Sequence, residues 1–393
     1  MAEPGILVTG AAGFVGSELV RALLRAPAYR GRTVYALVRP GQGLTAAQRL
    51  RRVTERWAAF GEPLSPEACE RLKLVEHDLA AAGELPSGIV FDQVFHAAAS
   101  TDFALPETVA WKANVCTTEN ALRLAREQPE FCRFVHLSSA FVAGRSRGLV
   151  TEERSPGRFH NCYESSKFAA EGVVRASGLP FTILRPSIIL GDSRTGYTLH
   201  FRVIYSVLRM WLRGVLPRAP IDPRAAVDVV PIDYVTDAAL ELAQMDAAAG
   251  ATLHLCAGPA YACSKEILDT AVRIFRLPGP RFISPWVASL LARRPFFWLV
   301  PYHVREILVS MRWHLPYLGQ RGRVFATERS EALLMPRGIT CPPFAAYGDL
   351  LFTFCRDTAW GKRPPMRPQT TLVRPETPQL INESEENRCC RSI

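Results

Sequence analysis

Lysine is nearly absent from this chain of 393 residues, occurring only at Lys73, Lys112, Lys167, Lys265 and Lys362. The formal net charge of +10 is therefore carried almost wholly by arginine. CxxC pairs and Cys/His clusters with zinc spacing are missing too, so neither a zinc site nor a disulfide-stapled secreted scaffold is expected. The ten cysteines are scattered and read as buried apolar residues or free thiols in a reducing cytosol. No run of about 18 uncharged apolar residues occurs, which argues against a spanning helix. The nearest, residues 283–302, is interrupted by Arg293, Arg294 and Pro295. The first strand begins almost at the N-terminus, leaving no room for a signal peptide and giving a cytoplasmic expectation. The basic residues form no basic–aromatic module of a known kind, so nucleic acid is not an expected partner. There is no internal repeat.

Apolar content of 48% with 21% charged residues belongs to a globular chain with enough material for one large domain or two ordinary ones. A basic surface suits anionic partners: a nucleotide, coenzyme A, an acidic carrier protein or a membrane face. Apolar, β-rich runs at 6–9, 33–38, 72–76, 93–97, 133–137, 181–184 and 252–256 alternate with helical patterns at 17–24, 46–60, 114–126 and 163–176. Fully apolar strands separated by helices predict a Rossmann-type α/β fold, a doubly wound parallel sheet covered on both faces.

Past about Gly191 the pattern changes. Phe201, Ile204, Leu208, Trp211 and Val215 step by three and four along one helical face, with Arg202, Arg209 and Arg213 off it. Nine arginines against three glutamates, among many aromatics, mark residues 281–345. That stretch reads as a small apolar core under an arginine surface, or as a lid or membrane-facing patch beside a lipid-like substrate. The expected organisation is a nucleotide-binding domain over 1–260, with 191–226 contributing to the substrate region, and a smaller, mostly helical substrate-binding region over 261–358. Residues 359–393 read as a disordered tail rich in proline and polar residues. Cys390 is fourth from the end, but Arg391 and Ser392 after it are polar, so prenylation is not expected.

Residues Thr9-Gly10-Ala11-Ala12-Gly13-Phe14-Val15-Gly16 join the first apolar run to the first helical pattern. Gly10 permits the tight turn, Gly13 lets backbone approach a pyrophosphate, and Gly16 allows close packing of helix on strand. The helix N-terminus would then face the anion with free N–H groups. At the end of the second run, where an acidic residue would bind the ribose 2′-hydroxyl of NAD, stands Arg39, with Arg49 one helix further on. A guanidinium pairs with a 2′-phosphate, so NADPH is the expected cofactor. Asp78-Leu79 is placed to touch the adenine, and Ala97-Ala98-Ala99 would pass under the cofactor with small side chains.

Tyr163-Glu164-Ser165-Ser166-Lys167 sets a phenol and an ammonium one helical turn apart on one face. Lys167 can lower the phenol pKa and hold the nicotinamide ribose while Tyr163 exchanges a proton with a substrate oxygen. Upstream, Ser138 and Ser139 end a strand at the carboxyl edge of the sheet. Ser139 could donate to the same oxygen, Ser138 is its rival, and either could cap the following turn.

The glycine turn, the Ser-Ser-Ala strand end and the YxxxK helix, in this order, resemble the extended short-chain dehydrogenase/reductase family over about residues 5–260. Within it the chain is similar to the male-sterility or thioester-reductase branch, which includes fatty acyl-CoA reductases. The stretches that carry this are Leu37-Val38-Arg39, residues 96–103, Asn161-Cys162-Tyr163, residues 184–196 and residues 227–235. The resemblance implies that Asn114, Pro186 and Ser187 border the cofactor. It also implies that Thr101, Ser138, Asn161 and Ile189 border the substrate. The implied activity is reduction of an acyl thioester, on coenzyme A or a carrier protein, to an aldehyde, with a second reduction to an alcohol left open. A carbonyl or hydroxysteroid-type dehydrogenase and a non-catalytic NADPH-binding protein are the alternatives. No enzyme nucleophile is needed, in keeping with the absence of a Cys/His pair. Which serine acts stays open, and the region after about residue 280 matches nothing in the family pattern.

Overall fold

The computed structural model describes residues 4–364 apart from 42, 82, 154–156, 202–203, 213, 215–217, 294–295 and 297–301. Seven strands form its central sheet: β1 (Gly5–Thr9), β2 (Val34–Val38), β3 (Leu72–Glu76), β4 (Phe91–His96), β5 (Arg133–Leu137), β6 (Phe181–Pro186) and β7 (Thr252–Leu255). All neighbours are parallel, in the order β7-β6-β5-β4-β1-β2-β3. The chain thus reverses its direction of winding between β1 and β4. Outside the carboxyl ends of strands at such a reversal lies the ligand crevice of a doubly wound sheet. Thr9 and His96, the last residues of β1 and β4, pair in register there.

Successive strand residues face opposite sides, and apart from the edge strand β3 the sheet is buried on both. Ile6, Val8, Ala36, Val135 and Leu137 pack into the layer with helices Phe14–Arg25 and Ile232–Gln244. Leu7, Leu37, Phe134 and Ile183 pack into the other, with helices Thr117–Arg126 and Cys162–Arg175. The expected strands recur within a residue or two. Helix Ile232–Gln244 is not among the expected helices: ten of its thirteen residues are buried, and only Asp237, Glu241 and Gln244 form a narrow polar stripe. The segment expected as a helix over 114–126 starts earlier, as Glu107–Trp111 followed by a π-helical turn at Lys112–Cys116.

A second core joins helices Ile204–Leu212, Ser264–Phe275 and Phe344–Asp357 through Tyr205, Leu208, Leu268, Phe344 and Leu351. Trp360, within the stretch expected as tail, stacks on Phe275 at 5.5 Å and meets Phe201 edge-on. The rest of the expected tail, from 365, lies outside the described residues, as do Arg202, Arg213 and Val215.

The chain then returns to the first region. Strand Arg323–Phe325 pairs in parallel with Gly148–Val150. Phe325 packs against Ala140, Val150 and Cys256, and Leu334 enters the layer with helix Ile232–Gln244 and β7. Among the described residues, no helix is long and apolar enough to cross a membrane.

Candidate active site

The turn after β1 is shaped by steric demands that only glycine meets. Gly10 has φ of +68°, and a Cβ there would stand 2.8 Å from the Ala98 nitrogen. A Cβ on Gly16 would come within 2.2 Å of the Gly10 carbonyl oxygen, so helix and turn touch backbone to backbone. Gly13 is the N-cap of helix Phe14–Arg25 and supplies no side-chain cap, which leaves the first-turn amides to an outside acceptor. Ala12, Gly13, Phe14 and Val15 are partly exposed between buried Ala11 and Gly16. A narrow cradle of free amides without side chains in it fits a pyrophosphate.

A buried relay stands behind the cradle. The Ala98 N–H donates to Thr9 Oγ1 at 3.2 Å, and Thr118 Oγ1 donates to the Asn114 carbonyl at 2.7 Å. His96 lies between, its Nδ1 2.8 Å from Thr9 Oγ1 and its Nε2 3.0 Å from Thr118 Oγ1. With the Thr118 proton engaged, Nε2 is assigned as donor and Nδ1 as acceptor from Thr9. Complete burial, and secondarily the Lys167 cation, push the His96 pKa down to about 3, so the ring is neutral.

Ala97 and Ala98 are partly exposed and Ala99 is exposed along the crevice mouth. At its far end Arg39 is exposed, and the Arg49 guanidinium donates to the Arg39 carbonyl at 2.5 Å. Asp78 stands 3.8 Å from Arg39 and accepts from the Ala80 N–H. Leu79 differs from expectation: its side chain is in the core layer beneath helix Thr117–Arg126, and its carbonyl accepts from Asn120. The turn after β3 directs its side chain inward.

Three polar side chains meet where β5 ends. Asn161 caps helix Cys162–Arg175 by accepting from the Glu164 N–H at 3.1 Å. That places Tyr163 in the first turn and Lys167 one turn on, both buried. Ser139 faces the Tyr163 phenol, and its Oγ accepts from the Phe141 N–H at 3.2 Å. Burial raises the Tyr163 pKa against the lowering effect of Ser139. This departs from the expectation that Lys167 lowers it: the Lys167 ammonium donates instead to the Leu137 carbonyl at 2.6 Å. Burial brings the Lys167 pKa down to about 8, and the Glu171 carboxylate opposes that fall.

Ser138 is committed elsewhere. Its hydroxyl donates at 2.5 Å to Glu171, which also accepts from Arg185 Nε and Nη2 at 2.8 and 2.7 Å. Burial alone would raise the Glu171 pKa, but Arg185 outweighs it and holds the carboxyl below the ordinary range. Consecutive residues leaving a strand face opposite ways, so only one of the two serines can reach Tyr163. Ser138 as a substrate contact is thereby corrected.

Asn114 is buried too: its carbonyl oxygen accepts from Ser100 N, and its amide donates to Ser166 Oγ at 2.8 Å. It ties the loop after β4 to the Tyr163 helix. Thr101 is exposed on that loop. Pro186 and Ser187 are buried at the end of β6, and Ile189 is half-buried in strand Ile188–Leu190. Asn161 gives its amide to Tyr317 Oη at 2.8 Å.

Sequence reasoning does not single out Tyr317 or Glu164. Tyr317 Oη donates at 2.5 Å to Glu164, whose other oxygen accepts from the His160 N–H at 2.6 Å. The only local sign is an acidic residue inside the YxxxK spacing, on a side the helix buries. No group of three or more His, Cys, Asp or Glu able to hold a metal occurs among the described residues.

The male sterility protein family matches residues 8–239. Fatty acyl-CoA reductase 2 of Bos taurus is 26% identical over 276 residues, covering 60% of this chain and 53% of its own. The chain spans about half or less of the length of the curated relatives it matches. In fold it is similar to the terminal R domain from the myxalamid PKS-NRPS biosynthetic pathway, at a TM-score of 0.76 and 24% identity, with 93% of each chain covered. A thiolation-reductase di-domain from an archaeal non-ribosomal peptide synthetase has a TM-score of 0.70 and 18% identity, with 91% of this chain and 76% of that one covered.

Proposed function

The chain belongs to the male sterility protein family, and on that footing we propose that it is an NADPH-dependent reductase of acyl thioesters. The observation that carries the reading is the pair of hydroxyls, Tyr163 and Ser139, facing each other at the end of β5, with the uncapped glycine cradle at the end of β1. The kinship with a fatty acyl-CoA reductase supports an acyl-CoA substrate. The fold shared with a thiolation-reductase di-domain makes a carrier-bound acyl group the companion case.

A bound reduced nicotinamide supplies the hydride to the thioester carbonyl. As the carbonyl oxygen gains charge, Tyr163 gives it a proton and Ser139 a hydrogen bond. Donors so placed are worth about 3 kcal/mol each. The raised pKa of Tyr163 suits this direction, because a phenol used as an acid must hold its proton until charge develops. The hemithioacetal then loses its thiol by C–S cleavage, its hydroxyl proton passing to sulfur, and leaves an aldehyde. Lys167 keeps a positive charge under the site, fixed in place by the Leu137 carbonyl.

The test is to mix purified protein, NADPH and palmitoyl-CoA, following nicotinamide absorbance and free thiol together. Thiol released in step with oxidation supports thioester reduction, and oxidation without thiol would turn the reading to a simple carbonyl. No turnover with any acyl-CoA or carrier-bound acyl group would sink it.

Two further outcomes are expected. Lys167 with a pKa of about 8 is charged below that value and neutral above it. If its charge serves the reaction, kcat/KM should fall as pH rises through about 8, along a single-proton limb; a flat profile across that limb would contradict it. For the cofactor, Arg39 and Arg49 stand together at the end of β2, with Asp78 3.8 Å from Arg39. Exchanging Arg39 for Asp should weaken NADPH binding by about tenfold or more, and NADH binding far less. An unchanged preference in a fluorescence titration would place the 2′-phosphate elsewhere.

A further inference from the structure

A cluster of rings beside Tyr163 takes no part in the proton chemistry above. Phe103 is on the loop after β4 that Asn114 pins through Ser100. Its ring centroid is 5.4 Å from that of Tyr163, 5.2 Å from His314 and 5.3 Å from Tyr317. Tyr317 reaches Phe141, two residues beyond Ser139, at 5.4 Å edge-on. Phe103, Phe141, His314 and Tyr317 are each only partly buried, unlike the core aromatics Phe91, Phe95 and Phe134. Rings that keep an open face next to two hydroxyl donors present an apolar wall to another molecule.

The wall is indexed to the reaction centre. Tyr317 Oη donates to Glu164 and accepts from Asn161, and these residues are the third helical position and the N-cap of the helix carrying Tyr163. Glu164 is fully buried. Tyr317 therefore cannot shift relative to Tyr163 without breaking hydrogen bonds to a buried side chain, which is costly. An apolar wall held at a set distance from the carbonyl oxygen's partner discriminates by bulk on the carbons beside that carbonyl.

We propose that Tyr317, held by Glu164 and Asn161 and flanked by Phe103, is a specificity-determining residue that admits acyl groups unbranched next to the thioester carbonyl and rejects those carrying a branch there. This rests on the thioester-reductase reading. The Tyr317 ring fills the space a methyl on the α-carbon would enter, and its hydroxyl keeps the ring from yielding.

The experiment compares kcat/KM for octanoyl-CoA and 2-methyloctanoyl-CoA in the full chain and in three variants. The unsubstituted chain should prefer the unbranched thioester. Tyr317→Ala should raise the branched-to-unbranched ratio by about tenfold, the scale of one methyl group in an apolar pocket. Tyr317→Phe, which keeps the ring but loses its hold on Glu164 and Asn161, should raise the ratio by about threefold, less than Tyr317→Ala. A ratio is insensitive to the fraction of active protein, so general loss of fold does not move it. Should Tyr317→Ala not fold, Tyr317→Leu should show the same rise. No initial preference, or a ratio unmoved in both Tyr317→Ala and Tyr317→Leu, overturns the assignment of Tyr317 while leaving the reductase reading intact. Failure of the unsubstituted chain to reduce either thioester overturns that reading instead.

Discussion

Replacing Tyr163 with Phe is expected to lower kcat for acyl-thioester reduction by roughly 10²–10⁴-fold, the range for loss of a placed general acid. The ring would stay against Phe103, so packing is preserved and only one oxygen is removed. Ser139 retains its bond from the Phe141 N–H, which limits the cost in stability to about 1 kcal/mol. Because the phenol's bond to the substrate strengthens as charge develops, the loss should fall on kcat more than on KM. Single-turnover measurement with bound NADPH reads the step directly. A variant retaining more than about a tenth of the rate would show that the proton comes from another group.

The second large effect concerns stability. Arg185→Ala should destabilise the fold by about 3–5 kcal/mol, because it strands a carboxylate inside the protein. Glu171 is wholly buried and receives two bonds from Arg185, itself 4% exposed. Its remaining partners, Ser138 and the more exposed Arg175, do not replace a bidentate guanidinium. The pH dependence carries the sign. In the unsubstituted protein the Glu171 pKa is depressed, so its contribution is present above the unfolded carboxylate pKa and lost as pH falls below it. In the variant the orphaned carboxyl takes up a proton more readily than an unfolded one. The deficit should therefore shrink as pH falls towards about 5 in denaturant melts. A deficit under about 1 kcal/mol at pH 7 would mean that water enters and solvates Glu171.

The parts of the site that are local in the chain are legible in its sequence. Gly10, Gly13 and Gly16 are required by backbone contacts within one turn, and Tyr163 and Lys167 by the pitch of one helix. The parts made by distant segments are not. Glu164 meets a tyrosine 153 positions later, and nothing in the spacing of residues 312–320 says which of its aromatics will arrive there. The choice between Ser138 and Ser139 depends on which way β5 releases each side chain. Leu79 departs from expectation for the same reason, since being next to Asp78 does not mean facing the same way. Helix Ile232–Gln244 shows only a narrow polar stripe, Asp237, Glu241 and Gln244, on an otherwise buried segment.

The return of residues 323–334 to the sheet has a consequence for engineering. Phe325 packs on Ala140, the residue directly after Ser139, and Leu334 wedges in beside helix Ile232–Gln244. A cut after residue 260 would therefore not release a free-standing nucleotide module, but one with an apolar wound next to its own chemistry. Chimeras meant to exchange substrate preference should graft only the stretches outside this stitch, and carry residues 323–334 along with the catalytic half.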